Sequence, residues 1–175
     1  GKSSGSEVSS PETQKFLREN ATDLISITYA RSLLGTKVAP NEWMKGSVVS
    51  DASLLDPNAL ALSVMTNIRA GELDWEKNGV NALVALAQRD AAGHVYWTAG
   101  AQAYYASQDA STGLAIRALT LARYDRGFIS NAVRYLDANR KPGYWSNTFA
   151  TVQVAAALID HYRSADPETL KPDYT

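Results

Sequence analysis

The side chains that could carry chemistry in this sequence are two histidines, a scatter of carboxylates and a set of repeated aromatics. His94 sits in a turn just after Gly93, and His161 lies at the end of the last helix, where a cation suits the helix dipole. An acid–base or nucleophilic site needs a constellation rather than one titratable residue. Neither histidine has an Asp, Glu or Ser partner at a fixed catalytic spacing, so both read as structural. A glycan-cleaving pair would need two carboxylates facing one groove. Glu72 and Asp74 instead lie near the start of a helix, where acids favour the N-terminal dipole. No aspartate-rich cluster could hold magnesium for diphosphate chemistry, and no glycine-rich phosphate loop occurs. Cysteine is absent, which removes a thiolate nucleophile, a disulfide framework and a Cys-based zinc site. No catalytic, cofactor-binding or metal-ligating residue is therefore assigned, and no cofactor is expected.

The aromatics Trp75, Trp97, Trp145, Tyr96, Tyr144, Tyr104 and Tyr105 could line a ligand cavity. At repeated turn positions, however, such rings more often pack helical hairpins. Asn20-Ala21-Thr22 fits the glycosylation pattern, but its place inside a helix argues against use.

Bulk properties narrow the classes further. A formal charge of −1 over 175 residues, with no Lys or Arg run, lacks the footprint of a nucleic-acid binder. The apolar stretches are broken by Arg, Asp or Gln well short of a spanning helix, so direct membrane insertion is not expected. At 45% hydrophobic residues the length fits one domain with a real core. Residues 1–10 read as a flexible tag or linker with no apolar signal-peptide region. Residues 11–166 form the helical domain, and 167–175 read as a terminal linker.

Six helices position these residues. Ser10-Pro11 opens the first, which runs to Gly35; Asp56-Pro57 repeats the cap-plus-proline start of a second ending at Gly71. Residues 36–55 read as an irregular connector. The third covers about Glu76 to Arg89, the fourth Ser111 to Tyr124, the fifth Phe128 to Asn139 and the sixth Thr148 to Tyr162. His94–Trp97 and Gln102–Tyr105, flanking Ala99-Gly100, suggest a short hairpin. The third and fifth helices are amphipathic, while the fourth and sixth are apolar nearly all round. A helix wet on one face is an outer helix; one apolar on every side is walled in by protein. The fold class predicted is therefore all-α, an α/α-toroid segment of repeated helical hairpins.

An internal repeat supports this. Val80-Asn81-Ala82-Leu83 aligns with Ser130-Asn131-Ala132-Val133 at an offset of 50, and Tyr96-Trp97-Thr98 with Tyr144-Trp145-Ser146 at 48. Each unit is an outer helix, a glycine-containing turn, an aromatic pair and an inner helix. Gly93 and Gly143 can take the positive φ that such a turn requires.

The second unit carries a family resemblance. Asp109-Ala110-Ser111-Thr112-Gly113-Leu114-Ala115-Ile116-Arg117-Ala118-Leu119 is followed by Asn131-Ala132-Val133-Arg134-Tyr135-Leu136. Then comes Asn139-Arg140-Lys141-Pro142-Gly143-Tyr144-Trp145-Ser146-Asn147-Thr148, leading into Phe149–Leu158. Over Glu76 to Tyr162 this resembles the last hairpins of the thioester-containing domain of alpha-2-macroglobulins and complement proteins, in its bacterial branch. The resemblance implies a toroid inside a large periplasmic or extracellular protease trap. Its partners would be neighbouring domains of the parent and the target proteases, with a homodimer as a further option. The thioester needs a Cys-x-x-Gln type motif, and this chain has no cysteine. Either the motif lies upstream or this branch has lost it, and no catalytic residue carries over. The rival classes are an enzyme on the same scaffold (terpenoid cyclase-like, prenyltransferase-like or polysaccharide-active) and a purely structural interaction module. The cyclases need an acidic motif, and the prenyltransferases need zinc ligands including Cys.

Overall fold

The computed structural model describes residues 11–34, 55–71, 73–98 and 107–165, leaving aside the side chains of 11–19, 21–22 and 73–76. The two terminal linkers, the irregular connector and the Gln102–Tyr105 strand lie outside these residues, as do Glu72 and the side chains of Asp74 and Trp75. Six helices are formed among the described residues: α1 (Pro11–Leu33), α2 (Pro57–Ala70), α3 (Leu73–Ala85), α4 (Gln108–Leu121), α5 (Arg126–Ala138) and α6 (Thr148–Ala165). One two-stranded ribbon accompanies them, β1 (Gln88–Arg89) with β2 (Val95–Tyr96).

Local chemistry sets most of these boundaries. Asp56 caps α2 by accepting the Ala59 N–H at 2.8 Å, and Pro57 fills the first helical position, where no N–H partner is needed. Gly71 ends the helix at φ 78°, its N–H reaching the Asn67 and Ile68 carbonyls. Helix α4 begins earlier than the apolar periodicity suggests, because Ser107 accepts the Ala110 N–H and extends the helix back to Gln108. Helix α3 starts and stops earlier than expected, ending at Ala85. Beyond it Gln88 and Arg89 turn extended and pair antiparallel with Tyr96 and Val95. The ribbon partner of Val95-Tyr96 is thus the upstream segment, not the downstream one expected from alternation. Asp90 closes this turn, one carboxylate oxygen accepting the Ala92 and His94 N–H groups while Gly93 sits at φ 81°.

The helices stack as a row. Helix α1 packs on α2, α2 on α4 and α4 on α6, with α3 laid over α2 and α5 over α4. Burial follows position in the row. Helix α2 is buried from Pro57 through Asn67, and α4 is buried along most of its length. Helix α5 buries only the stripe Ile129, Ala132, Val133, Tyr135 and Leu136. Inner and outer helices therefore alternate as the sequence predicts. Helix α6 departs from expectation. Ala150, Val154 and Ala157 face α4, while Phe149, Val152, Ile159 and Tyr162 are exposed. Among the described residues it is an inner-type helix covered on one side only.

The repeat is also more regular than the string alignment indicates. Helices α3 and α5 are both 13 residues long and displaced by 53, from Leu73 to Arg126. At that register Val80 meets Val133 and Leu83 meets Leu136, all four buried. At the offset of 50, Leu86, which is exposed, would meet the buried Leu136. Burial sets the register, and the Asn-Ala match is coincidental. The inner helices α2 and α4 are 14 residues each and displaced by 51, from Pro57 to Gln108. The difference of two is taken up between α4 and α5, where Arg123 adopts φ 54°.

A close helix contact runs through Gly113 of α4. A Cβ there would sit 3.1 Å from the carbonyl carbon and oxygen of Gln153 and 3.2 Å from the Val154 nitrogen. These are backbone atoms of α6, which cannot yield without the whole helix moving. Gly113→Ala is expected to cost about 1–3 kcal/mol, as overpacking does. Urea denaturation would show it as a lowered midpoint; an unchanged or raised midpoint would mean that α6 is not held this closely.

Candidate functional site

The repeated tryptophans make the same two hydrogen bonds in both units. The Trp97 indole N–H donates to the Leu83 carbonyl at 2.7 Å, and that of Trp145 to the Leu136 carbonyl at 2.9 Å. Leu83 and Leu136 are each the third residue from the end of an outer helix, where carbonyls lack an intrahelical partner. The backbone N–H of each tryptophan reaches forward to a threonine hydroxyl on the following inner helix. Trp97 donates to Thr112 Oγ1 and Trp145 to Thr151 Oγ1, both at 3.1 Å. One residue thus joins the end of an outer helix to the start of the next inner one. The prediction that these tryptophans pack the hairpins holds for both; Trp97 is fully buried and meets Phe128 edge-on, with ring centroids 6.1 Å apart.

The tyrosine beside each tryptophan has a different fate. Tyr96 stacks on Tyr135 of α5, centroids 4.8 Å apart at 16°. The Tyr135 hydroxyl donates to Gln108 Oε1 at 3.1 Å at the start of α4. Burial first, then the nearby Asp109 carboxylate and the Tyr96 and Asp90 groups, push the Tyr135 hydroxyl pKa up to about 12. It therefore stays a protonated donor. Among the described residues the corresponding Tyr144 has no such cover, and it is 48% exposed. With Ser146, Asn147, Thr148, Thr151 and Val152 it lines a groove of about 400 Å³ at the start of α6. The sequence offered a signal for this groove in the aligned tyrosines, but only the cover over Tyr96 gives that alignment meaning.

Buried polar groups bind the units together. Asp109 accepts both the backbone N–H of Ser146, at 3.1 Å, and the Ser146 hydroxyl. This clips the first turn of α4 to the second tryptophan turn. Its counterpart in the first unit, at the 51-residue displacement, is Asn58, whose buried Oδ1 has no hydrogen-bond partner among the described residues. The half-buried Arg117 spans three inner helices. Its Nε donates to Asp160 Oδ2 at 3.0 Å, one terminal nitrogen to Gln153 Oε1 at 3.5 Å and the other to the Tyr29 hydroxyl at 3.3 Å. In the sequence Arg117 shows only as a charge within the apolar run of α4.

The histidines are placed apart from these groups. His94 does have a carboxylate partner, Asp90 Oδ2 at 3.0 Å, across the ribbon turn. Burial tends to raise the Asp90 pKa, but hydrogen bonds from the His94 backbone and ring, with the Ala92 N–H, bring it below the ordinary carboxylate value. This pair stabilises a turn. His161 is not the helix-end cation expected from the dipole. Partial burial, then the Arg126 charge, hold its pKa below the usual histidine value, so the neutral ring predominates at pH 7. Arg126 takes the cationic role instead, donating to the Ser164 carbonyl near the end of α6 at 2.8 Å.

Among the described residues no group of three His, Cys, Asp or Glu side chains could hold a metal, and no helix is long and apolar enough to cross a membrane. The geometry defines a class only: helical hairpins joined by tryptophan turns, with an open groove at one end of the row. No family model, curated protein or solved structure matches the chain.

Two outcomes test this description. Trp97→Phe and Trp145→Phe each remove the indole donor and orphan a carbonyl, and each should cost about 1–3 kcal/mol in urea denaturation. The loss should be larger at Trp97, the more deeply buried of the two; no loss at either would show the bonds to be idle. For His161 the folded pKa lies below the unfolded value of 6.5. Its contribution is therefore complete above pH 6.5 and lost as pH falls toward the folded pKa. His161→Gln should flatten that part of the stability–pH curve, while a curve of unchanged slope would refute the assignment.

Proposed function

We propose that the chain is a non-catalytic helical segment of an α/α-toroid within an alpha-2-macroglobulin-like, broad-spectrum protease trap. The observation that carries the reading is the repeated tryptophan turn. It occurs twice within the residues that resemble the thioester-containing domain, with the same two hydrogen bonds in both copies. The row of inner helices with outer helices over it is the local arrangement a toroid requires, and α6 marks a place where that row is open. In this reading the chain works as a scaffold. Its partners are neighbouring domains of a larger parent, and proteases are engaged by that parent in the periplasm or outside the cell. With no cysteine in the sequence, any thioester capture belongs to residues outside these 175, or the trap closes without a covalent bond.

Steric trapping has a signature that simple inhibition lacks. Incubated with the full-length protein, a protease should lose activity on a large protein substrate yet keep cleaving a small chromogenic peptide. If both activities persist, or if the purified chain turns over isoprenoid or glycan substrates, the trap reading fails.

A further inference from the structure

The two tryptophan turns show what kind of neighbour the exposed side of α6 suits. The backbone N–H of Trp97 bonds Thr112 of α4, and that of Trp145 bonds Thr151 of α6. This pairing sets Gly113 against Val152 and Arg117 against Ala156. In α4 both residues meet the next inner helix: Gly113 lies against the α6 backbone, and Arg117 reaches Asp160. The same side of α6 meets nothing among the described residues, and it is apolar. Val152 is 58% exposed and Ile159 48%; between them Ala155 is exposed and Ala156 half-buried. The surface is shaped for another inner-type helix.

The order of residues along this face singles out the occupant. Phe149, Val152, Ala155, Ala156, Ile159 and Tyr162 read alike in both directions: a ring, a branched aliphatic, two alanines, a branched aliphatic and a ring. A two-fold contact brings residue i of one copy to residue j of the other, and j to i. A face that reads alike in both directions is therefore complementary to itself. Asp160, the only carboxylate between Thr148 and Tyr162, is held aside by Arg117 at 3.0 Å, so no acid faces its own copy. We propose that α6 pairs antiparallel with α6 of a second copy of this chain, about a two-fold axis beside Ala155 and Ala156. Val152 then meets the partner's Ile159 at both ends of the contact. The alanines let the two backbones approach, as Gly113 does within the chain. With a rise of about 1.5 Å per residue, Tyr162 stands about 10 Å from the axis, level with the start of the partner helix. There Tyr144, Thr148 and Val152 line the groove of about 400 Å³. Each Tyr162 ring enters the other copy's groove beside Tyr144, covering two tyrosines that are 56% and 48% exposed in the single chain. Antiparallel pairing also sets each helix N-terminus beside the partner's C-terminus, the favourable alignment of their dipoles. The pairing needs only α6 and stands whether or not the parent is a protease trap.

A single helix pair lies at the small end of specific interfaces, so sedimentation of the full chain should show a monomer–dimer equilibrium in the micromolar range. Val152→Asp and Ile159→Asp alter exposed side chains; helical circular dichroism should be kept, and each should weaken the dimer at least tenfold. The sequence has no cysteine, so single cysteines report the geometry directly. Under mild oxidation Ala156→Cys, beside the axis, should cross-link to its own copy. Val152→Cys alone should not, because its two copies stand about 10 Å apart along the helices, beyond the reach of a disulfide. Mixed with Ile159→Cys, it should cross-link. Where an aspartate variant fails to fold, the cysteine pairs decide. The pairing is overturned if the chain stays monomeric at millimolar concentration, or if both aspartate variants dimerise as the wild type does. It is also overturned if Val152→Cys cross-links to itself as readily as to Ile159→Cys.

Discussion

An outer helix of this protein ends in a carbonyl that its own backbone leaves open, and a tryptophan further along the chain fills it. That indole-to-carbonyl bond is the joint on which the rest depends. It is made between buried groups at both Leu83 and Leu136, where an orphaned acceptor would be expensive. Because the same residue's backbone N–H goes forward to a threonine hydroxyl, the bond fixes the outer helix relative to the next inner helix as well as relative to its own hairpin. The aromatic body then supplies the packing: Trp97 touches Phe128 at the start of α5, so the ring that closes one unit also seats the next. A phenylalanine in either place could fill much of the volume but would leave the carbonyl bare.

The inner helices meet the complementary constraint of close approach. Gly113 lets the backbones of α4 and α6 come together where a side chain would intrude. Once they are close, Arg117 can reach Asp160 and Gln153 on α6 and Tyr29 on α1 simultaneously. A half-buried guanidinium with three partners is satisfied in a way that an isolated charge on an apolar helix is not. Polar specificity in this core is therefore concentrated at the row's centre, while the outer helices contribute mostly apolar stripes.

Much of this is written locally and could be read without coordinates. Asp56-Pro57 and Gly71 bound α2 because capping and positive φ depend only on a few neighbouring residues. The contrast between striped and all-round apolar helices likewise announced the two layers. What escaped was decided at longer range. The register of α3 against α5 follows from which residues are buried, and a chance Asn-Ala match hid it. The end of α3 was set by a ribbon whose partner strand lies across a turn, so helical periodicity alone extended the helix too far. For the candidate site, the aligned tyrosines were visible, but the difference between them was not. Tyr96 is covered by a ring 39 residues later in the chain, and no pattern around Tyr144 reveals that it is left half exposed. The role of Arg117 is hidden in the sequence because its three partners come from two other helices.

The two-residue surplus between α4 and α5 has a consequence for how the chain comes together. Each inner helix folds back on its own outer helix through a short connection, two residues at Gly71 and four around Arg123. Hairpins of this kind close small loops, and small loops lose little chain entropy on closure. They can form early and independently, leaving the tryptophan joints and the Gly113 contact to be made afterwards, between units already built. The two turns differ in cost: Arg123 holds left-handed backbone geometry that glycine adopts freely in the first unit.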